Sequence, residues 1–261
     1  MKRVLWFILA AALTVGLAAC GAPTAVETPA PTAAPTSEPT AVPTPEPTEP
    51  VVIFTDAALE AKVRSAVGKP EGDITVADAE AVTSLILSNK DFDDMNSQNG
   101  GIKDLSDLKY FTGLTELDIS FNNINDLSPL AGLTKLETLV FNGTQVEDLS
   151  PLKDLVNMKC IVFCWIHGDS GTPSGVADLN DLANMKNLED IDAKNAGITD
   201  ISALAGMPKL WDVQLCDNQI TDITPLAGLP LRILLLGNNP VTDFSPVAGV
   251  YPTLEGKDFE L

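Results

Sequence analysis

One histidine, His167, is all that 261 residues contain, and neither a Gly-x-Ser-x-Gly elbow, a phosphate loop nor an HExxH pair occurs. The usual pairings of nucleophile and base therefore cannot be assembled, and the chain is not expected to be an enzyme. Basic residues are also short: 16 Lys and Arg stand against 36 Asp and Glu, a formal charge of −20. Phosphate binding needs clustered Lys and Arg, so nucleic acid is not an expected partner. Such acidity reads as a device for solubility, and steering of a basic partner is the alternative. Cysteines number four, and if Cys20 is modified an odd three remain, Cys160, Cys164 and Cys216, which excludes a complete disulfide framework. On strands, Cys160 and Cys164 would stand roughly 13 Å apart, and Cys164 and Cys216 near 10 Å. Neither pair can share a zinc ion or a disulfide without distortion, so no metal and no cofactor are expected. The Asp91-Phe92-Asp93-Asp94 run lacks the acidic spacing, central Gly and closing Glu of a calcium loop. It reads as a loose acidic loop.

What is present at the start is a charge-then-hydrophobe layout: Lys2 and Arg3 precede an apolar run from Val4 to Leu17. The run is short of the about 20 residues that span a bilayer and reads as a secretory signal. It ends in Leu17-Ala18-Ala19-Cys20-Gly21, which resembles the lipobox of bacterial lipoproteins. That resemblance implies diacylglycerol on Cys20 and an extracellular, lipid-anchored protein, since two acyl chains hold stably where one does not. An ordinary signal cleaved near Ala19 is the alternative. Residues 22–50 form a Pro/Thr/Ala/Glu tract with almost nothing large and apolar to bury, a disordered spacer. At about 3.1 Å per residue it reaches roughly 90 Å.

From residue 102 onward the chain repeats itself. Units open at Ile102, Ile124, Val146, Val176, Ile198, Ile220 and Val241, with intervals of 22, 22, 30, 22, 22 and 21. Each has Asp two places later, from Asp104 to Asp243. The second half of each unit carries L-x-x-L-x-L, as in Leu114-x-x-Leu117-x-Ile119, whose last two apolar positions alternate as on one face of a short strand. A strand this short is stable only when stacked, about 4.8 Å from the same strand of the next unit. The first half carries Asp-Leu-Ser-Pro-Leu at 126–130 and 148–152, with Thr for Ser at 222–226. Ser or Thr before Pro is expected to cap a helical turn, its hydroxyl accepting an orphan amide. Bulkier than a strand, this turn places the strands on the inside of the curve.

The unit, as in ITDITPLAGLPLRILLLGNNP, resembles the internalin-type leucine-rich repeats of Gram-positive surface proteins. The segment from Phe54 to Ser88 resembles the helical cap that begins those domains. Physically, too, Asp56 is placed to cap a helix bearing Leu59, Val63 and Val67 and ended by Gly68. Val82, Leu85 and Leu87 then read as a first strand rung. The resemblance implies an α/β leucine-rich-repeat solenoid: curved, with a parallel β-sheet on the concave face, short helical turns on the convex face and a small N-terminal cap. The expected organisation is signal 1–20, linker 21–50, cap 51–81 and repeats 82–261. In the family, an Asn in the turn after each strand satisfies backbone groups of neighbouring turns. Asn122, Asn218 and Asn239 fit, whereas Thr144, Ile166 and Ala196 interrupt the ladder. The chain ends at Leu261 without the family's immunoglobulin-like domain or wall-anchoring tail, and lipid on Cys20 would take their place.

The resemblance also implies that outward strand positions line a concave binding face. By register these include Glu116, Asp118, Thr138, Val140, Asn142, Val162, Asp190, Asp192, Asp212 and Gln214, an apolar centre with acidic flanks. Trp165 and Trp211 lie near it and are candidate binding anchors. Trp165 has the alternative role of covering the interrupted ladder beside Ile166. Asp190 and Asp192, about 6.6 Å apart along a strand, match a glycosidase spacing, but such pairs arise by chance on any acidic solenoid. The insertions Asp91–Gly101 and Gly168–Gly175 both follow strands and form either a lip over this face or tolerated surface loops. The expected partner is a protein, a basic one if the acidity steers it, bound by a monomer. A glycan stacking on Trp165 and Trp211 is the alternative, and a structural role without specific ligand is a third.

Overall fold

The computed structural model describes residues 49–89, 101–164 and 175–261. Cys20, Trp165, His167, Ile166, most of both insertions and all but the last two residues of the 22–50 tract lie outside them. Within the unit Pro47–Leu261, helices α1 (Ala57–Val67) and α2 (Val76–Glu80) precede a single sheet. Its strands are β1 (Ser84–Ile86), β2 (Glu116–Asp118), β3 (Thr138–Val140), β4 (Cys160–Val162), β5 (Asp190–Asp192), β6 (Asp212–Gln214), β7 (Ile233–Leu235) and β8 (Gly256–Lys257). They pair in chain order and in parallel throughout. This is the leucine-rich-repeat solenoid that the periodicity predicts.

The middle residue of each strand points into the stack. Leu85, Leu117, Leu139, Ile161, Ile191, Val213 and Leu234 are all fully buried, each contributing about 1.5–3 kcal/mol by leaving water. No single repeat can shield that side chain, so neighbouring coils do it jointly. Phe141 and Phe163 continue the column as stacked rings 5.1 Å apart.

Between strands run 3-10 turns such as Ser128–Leu130, Ser150–Leu152 and Thr224–Leu226. Here the structure corrects the capping expectation. No hydroxyl accepts an amide at these turns; instead the Asp two places earlier accepts the backbone N–H of residue i+2. All seven aspartates do so, from Asp104 to Asp243, at 2.7–2.9 Å. Ser128 and Ser150 use their hydroxyls to donate back to Asp126 and Asp148. A carboxylate accepts a backbone bond more strongly than a hydroxyl, which explains the invariance of Asp and the tolerance of Ser, Asn or Thr after it.

The cap is built as expected and is tied down by one residue. Asp56 Oδ1 accepts from Ala58 and Leu59 at the start of α1, and Oδ2 accepts from Lys103 and Asp104 of the first repeat. Gly68, at φ 68°, ends α1. Thr75 and Asp78 form a reciprocal capping box at α2. Gly113 lies so close to α2 that a Cβ there would fall 2.1 Å from the Glu80 carbonyl oxygen.

At the other end β8 is a rung the repeat pattern did not foretell. Asp258 accepts from the Leu236 and Gly237 amides, and Phe259 stacks on Phe244 at 4.6 Å, with Tyr251 tilted against it. This aromatic group closes the core.

Candidate functional site

Register converts the sequence columns into a surface. One column runs Ser84, Glu116, Thr138, Cys160, Asp190, Asp212, Ile233, and the next runs Ile86, Asp118, Val140, Val162, Asp192, Gln214, Leu235. These residues alternate with the buried column and so share the opposite face of the sheet. Nine of the ten candidate residues from Glu116 to Gln214 therefore fall together, and the tenth, Asn142, follows β3 two residues after Val140. Val140 and Val162 are half-buried neighbours at the centre, with Glu116 and Asp118 to one side and Asp190, Asp192 and Asp212 to the other.

Trp211 is placed differently. It precedes β6, in the column of Thr115, Glu137, Lys159 and Glu189, and is half-buried, with the Arg232 guanidinium 5.8 Å from its ring centroid. It sits at the rim rather than at the apolar centre. Trp165 lies outside the described residues, as do both insertions apart from Gly101 and Gly175.

Several groove residues are already engaged in holding the rungs together. Where Thr144 interrupts the asparagine ladder, the Ser120 hydroxyl accepts from the Asn142 amide at 3.1 Å, and Asn142 Oδ1 accepts from the Cys164 amide at 2.7 Å. Among the described residues, Thr144 itself donates to Phe141 of its own turn. Asn142 is thus a stitch between coils. By contrast Asn218 makes five bonds: it donates to the carbonyls of Ala193, Leu215 and Cys216 and accepts from Ala196 and Ile198. Its carboxamide repairs the gap that Ala196 leaves in the preceding turn. That compensation was not legible in the sequence, because it needs the neighbour's arm to be placed in space.

The acidic flank is a coupled group. Lys194 Nζ bridges Asp192 Oδ2 at 3.0 Å and Gln214 Oε1 at 2.8 Å. Despite burial, which lowers it, the Lys194 pKa is raised by the Asp192 carboxylate. Gln214 Nε2 donates to Asp212 Oδ1 at 3.1 Å. Burial lifts the Asp212 carboxyl above its ordinary range, and burial together with Asp212 and Asp192 pushes Asp190 up to about 7.

The three thiols belong to the same face, all free, and each meets a carboxylate. Cys164 Sγ lies 3.0 Å from Asp192 Oδ1 and Cys216 Sγ 3.2 Å from Asp258 Oδ2, while Cys160 is the register partner of Asp190. Burial, then these carboxylates, pushes Cys160 and Cys164 up to about 12 and Cys216 to about 11. Thiols so held are poor nucleophiles and poor metal ligands at neutral pH. Among the described residues no His, Cys, Asp and Glu group is arranged to hold a metal ion, and no helix is long and apolar enough to cross a membrane.

Comparison with known proteins agrees with this architecture. The family Leucine Rich repeats (2 copies) matches residues 112–154, while no curated protein matches the chain. Among solved structures, an internalin C2 from Listeria monocytogenes is 29% identical, with a TM-score of 0.60, over 80% of this chain and 95% of its own. An internalin F from the same bacterium is 26% identical, also with a TM-score of 0.60, over 82% of this chain and 67% of its own. With repeats of this period, a sheet of this register and these structural relatives, the chain is an internalin-like leucine-rich-repeat protein.

Proposed function

We propose that the protein is a lipid-anchored extracellular binding module that recognises a protein partner through the concave face of its repeats. The observation that carries this reading is the groove's composition: half-exposed Val140 and Val162 lie between carboxylates, and Lys194 is the lone cation among the described groove residues of β1 to β7. Half-exposed apolar side chains rimmed by like charge suit an apolar contact flanked by basic groups. An internalin-like fold supports the same role, as a rigid scaffold presenting a row of side chains. Glycan binding has less support, because it relies on open aromatic faces and Trp211 carries Arg232 over its ring. Anchoring through Cys20 rests on the lipobox resemblance, and incorporation of labelled fatty acid, abolished by Cys20→Ser, tests it.

The binding reading is tested with surface proteins of neighbouring cells and two variants. Val140→Glu with Val162→Glu should weaken capture at least about tenfold, while Lys153→Glu, on the turn side, should leave it unchanged. Equal loss in both, or in neither, refutes the groove as the binding face.

A further inference from the structure

Asp190 of β5 and Asp212 of β6 are register partners on adjacent parallel strands, about 4.8 Å apart. Asp212 is 5% exposed. Asp190 Oδ1 is shielded from solvent and has no hydrogen-bond partner among the described residues. An ionised carboxylate accepts through both oxygens, and shielding one without a donor is costly. A protonated carboxyl supplies a donor of its own, and a neighbouring carboxylate is the acceptor that uses it best.

The surroundings offer no alternative donor of charge. From β4 the facing titratable groups are the Cys160 and Cys164 thiols. On the segment of β5 itself stand Asp192 and Lys194, and Lys194 Nζ is occupied by Asp192 and Gln214. The β6 segment contributes Asp212 and Cys216, with neutral Gln214 donating to one Asp212 oxygen. Beyond Asp212 the column continues with Ile233 of β7, which is uncharged.

We infer that Asp190 and Asp212 hold one proton between them near neutral pH, and that its loss is a pH switch in the groove, adding one negative charge and setting β5 against β6. Two carboxylates confined together cannot both ionise in the ordinary range, and the pair titrates as a unit. The upward displacement of the Asp190 carboxyl, caused by burial and then by Asp212, agrees with this.

The direction follows from linkage. A folded-state value raised above the unfolded one means that the folded chain binds the proton more tightly. The contribution to stability is complete below the ordinary Asp range and is lost as pH rises through about 7. On the binding reading of the groove, a cationic group docking there would favour the ionised pair and expel the proton, so its affinity would rise with pH.

The proton is tested on the protein alone, by carbon-13 NMR titration of the Asp carboxyls. One carboxyl of the pair should titrate near neutrality, and Asp212→Asn should lower the Asp190 midpoint by at least about one pH unit, a tenfold loss of proton affinity. Between about pH 5.5 and about pH 8 the melting temperature should fall in the wild type and in the exposed control Asp126→Asn. It should stay flat in Asp190→Asn. If that variant does not fold, the wild-type and Asp212→Asn titrations decide. Both carboxyls titrating below about pH 5, or an Asp190 midpoint indifferent to Asp212→Asn, overturns the shared proton. No ligand enters these measurements, so such a failure leaves the binding reading standing, and a failure of ligand capture leaves the proton standing.

Discussion

Replacing Asn218 by Ala should be the most damaging single change to the turns that follow the strands. The side chain is buried and makes five hydrogen bonds, three as donor and two as acceptor, to backbone groups of two consecutive coils. Truncation leaves the Ile198 amide without its acceptor, at about 1–3 kcal/mol for a buried unsatisfied donor. Loss of the carbonyl contacts adds about 1 kcal/mol for each that finds no water, so the total is about 3–5 kcal/mol. Thr144, at the same place three coils earlier, makes one bond among the described residues, within its own turn, and Thr144→Val should cost about 1 kcal/mol. Urea unfolding followed by circular dichroism measures both. Because repeats contact only their neighbours, the Asn218→Ala curve should also split, the C-terminal coils melting first. A difference between the two variants of under about 1 kcal/mol would refute the claim that the carboxamide spans coils, since the spanning bonds are the larger part of what distinguishes the two sites.

Other consequences are open to direct measurement. Gly113→Ala should cost about 2–3 kcal/mol by forcing α2 off the first repeat, whereas Gly132→Ala, facing open space, should be neutral in the same thermal melts. Asp56→Ala should cost about 2–3 kcal/mol, a cap of about 1–2 plus two amides of the first repeat. Burial raises its carboxyl, but the amides of Lys103, Leu59, Asp104 and Ala58 outweigh that and hold it below its ordinary value. Its contribution is therefore present above the unfolded pKa and lost as pH falls through the folded one, so wild type and variant should converge in acid melts. Iodoacetamide at neutral pH should modify Cys164 slowly, and Asp192→Asn should speed this about tenfold for each pKa unit by which the thiol falls. Mass spectrometry reads the difference, and an unchanged rate would show that the carboxylate does not hold the thiol.

The solenoid was legible because its signal is redundant. Seven aspartates and seven aliphatic starts at one period specify a stack, and the alternation of Leu117 with Ile119 specifies which side chains turn inward. The register of the groove followed from the same spacing, which is why Glu116, Thr138, Asp190 and Asp212 fall in one column. Less could be read wherever a contact joins residues with no fixed offset. The Asp at position three was visible as a repeat but not as the acceptor at each turn, since the Ser-Pro beside it offers a familiar cap of its own. Gly113 carries no local sign that α2 lies above it. The rung at Gly256–Lys257 is not legible because Gly and Lys do not look like a strand, and only backbone pairing with β7 makes it one. The Asp190 and Asp212 pair was visible as two acids; that one would be shielded and without a donor depends on burial.

Every strand is three residues long at most, and each pairs in register with the next. Place along the groove is therefore counted in coils, not shaped by them. Excising residues 124–145 would set the acidic pair of β2 next to Cys160 and Val162, narrowing the apolar interval by one rung. Duplicating the same stretch would widen it. The distance between charged patches is a ruler whose marks are whole coils, and gene duplication or loss can lengthen or shorten what it measures faster than point substitution can.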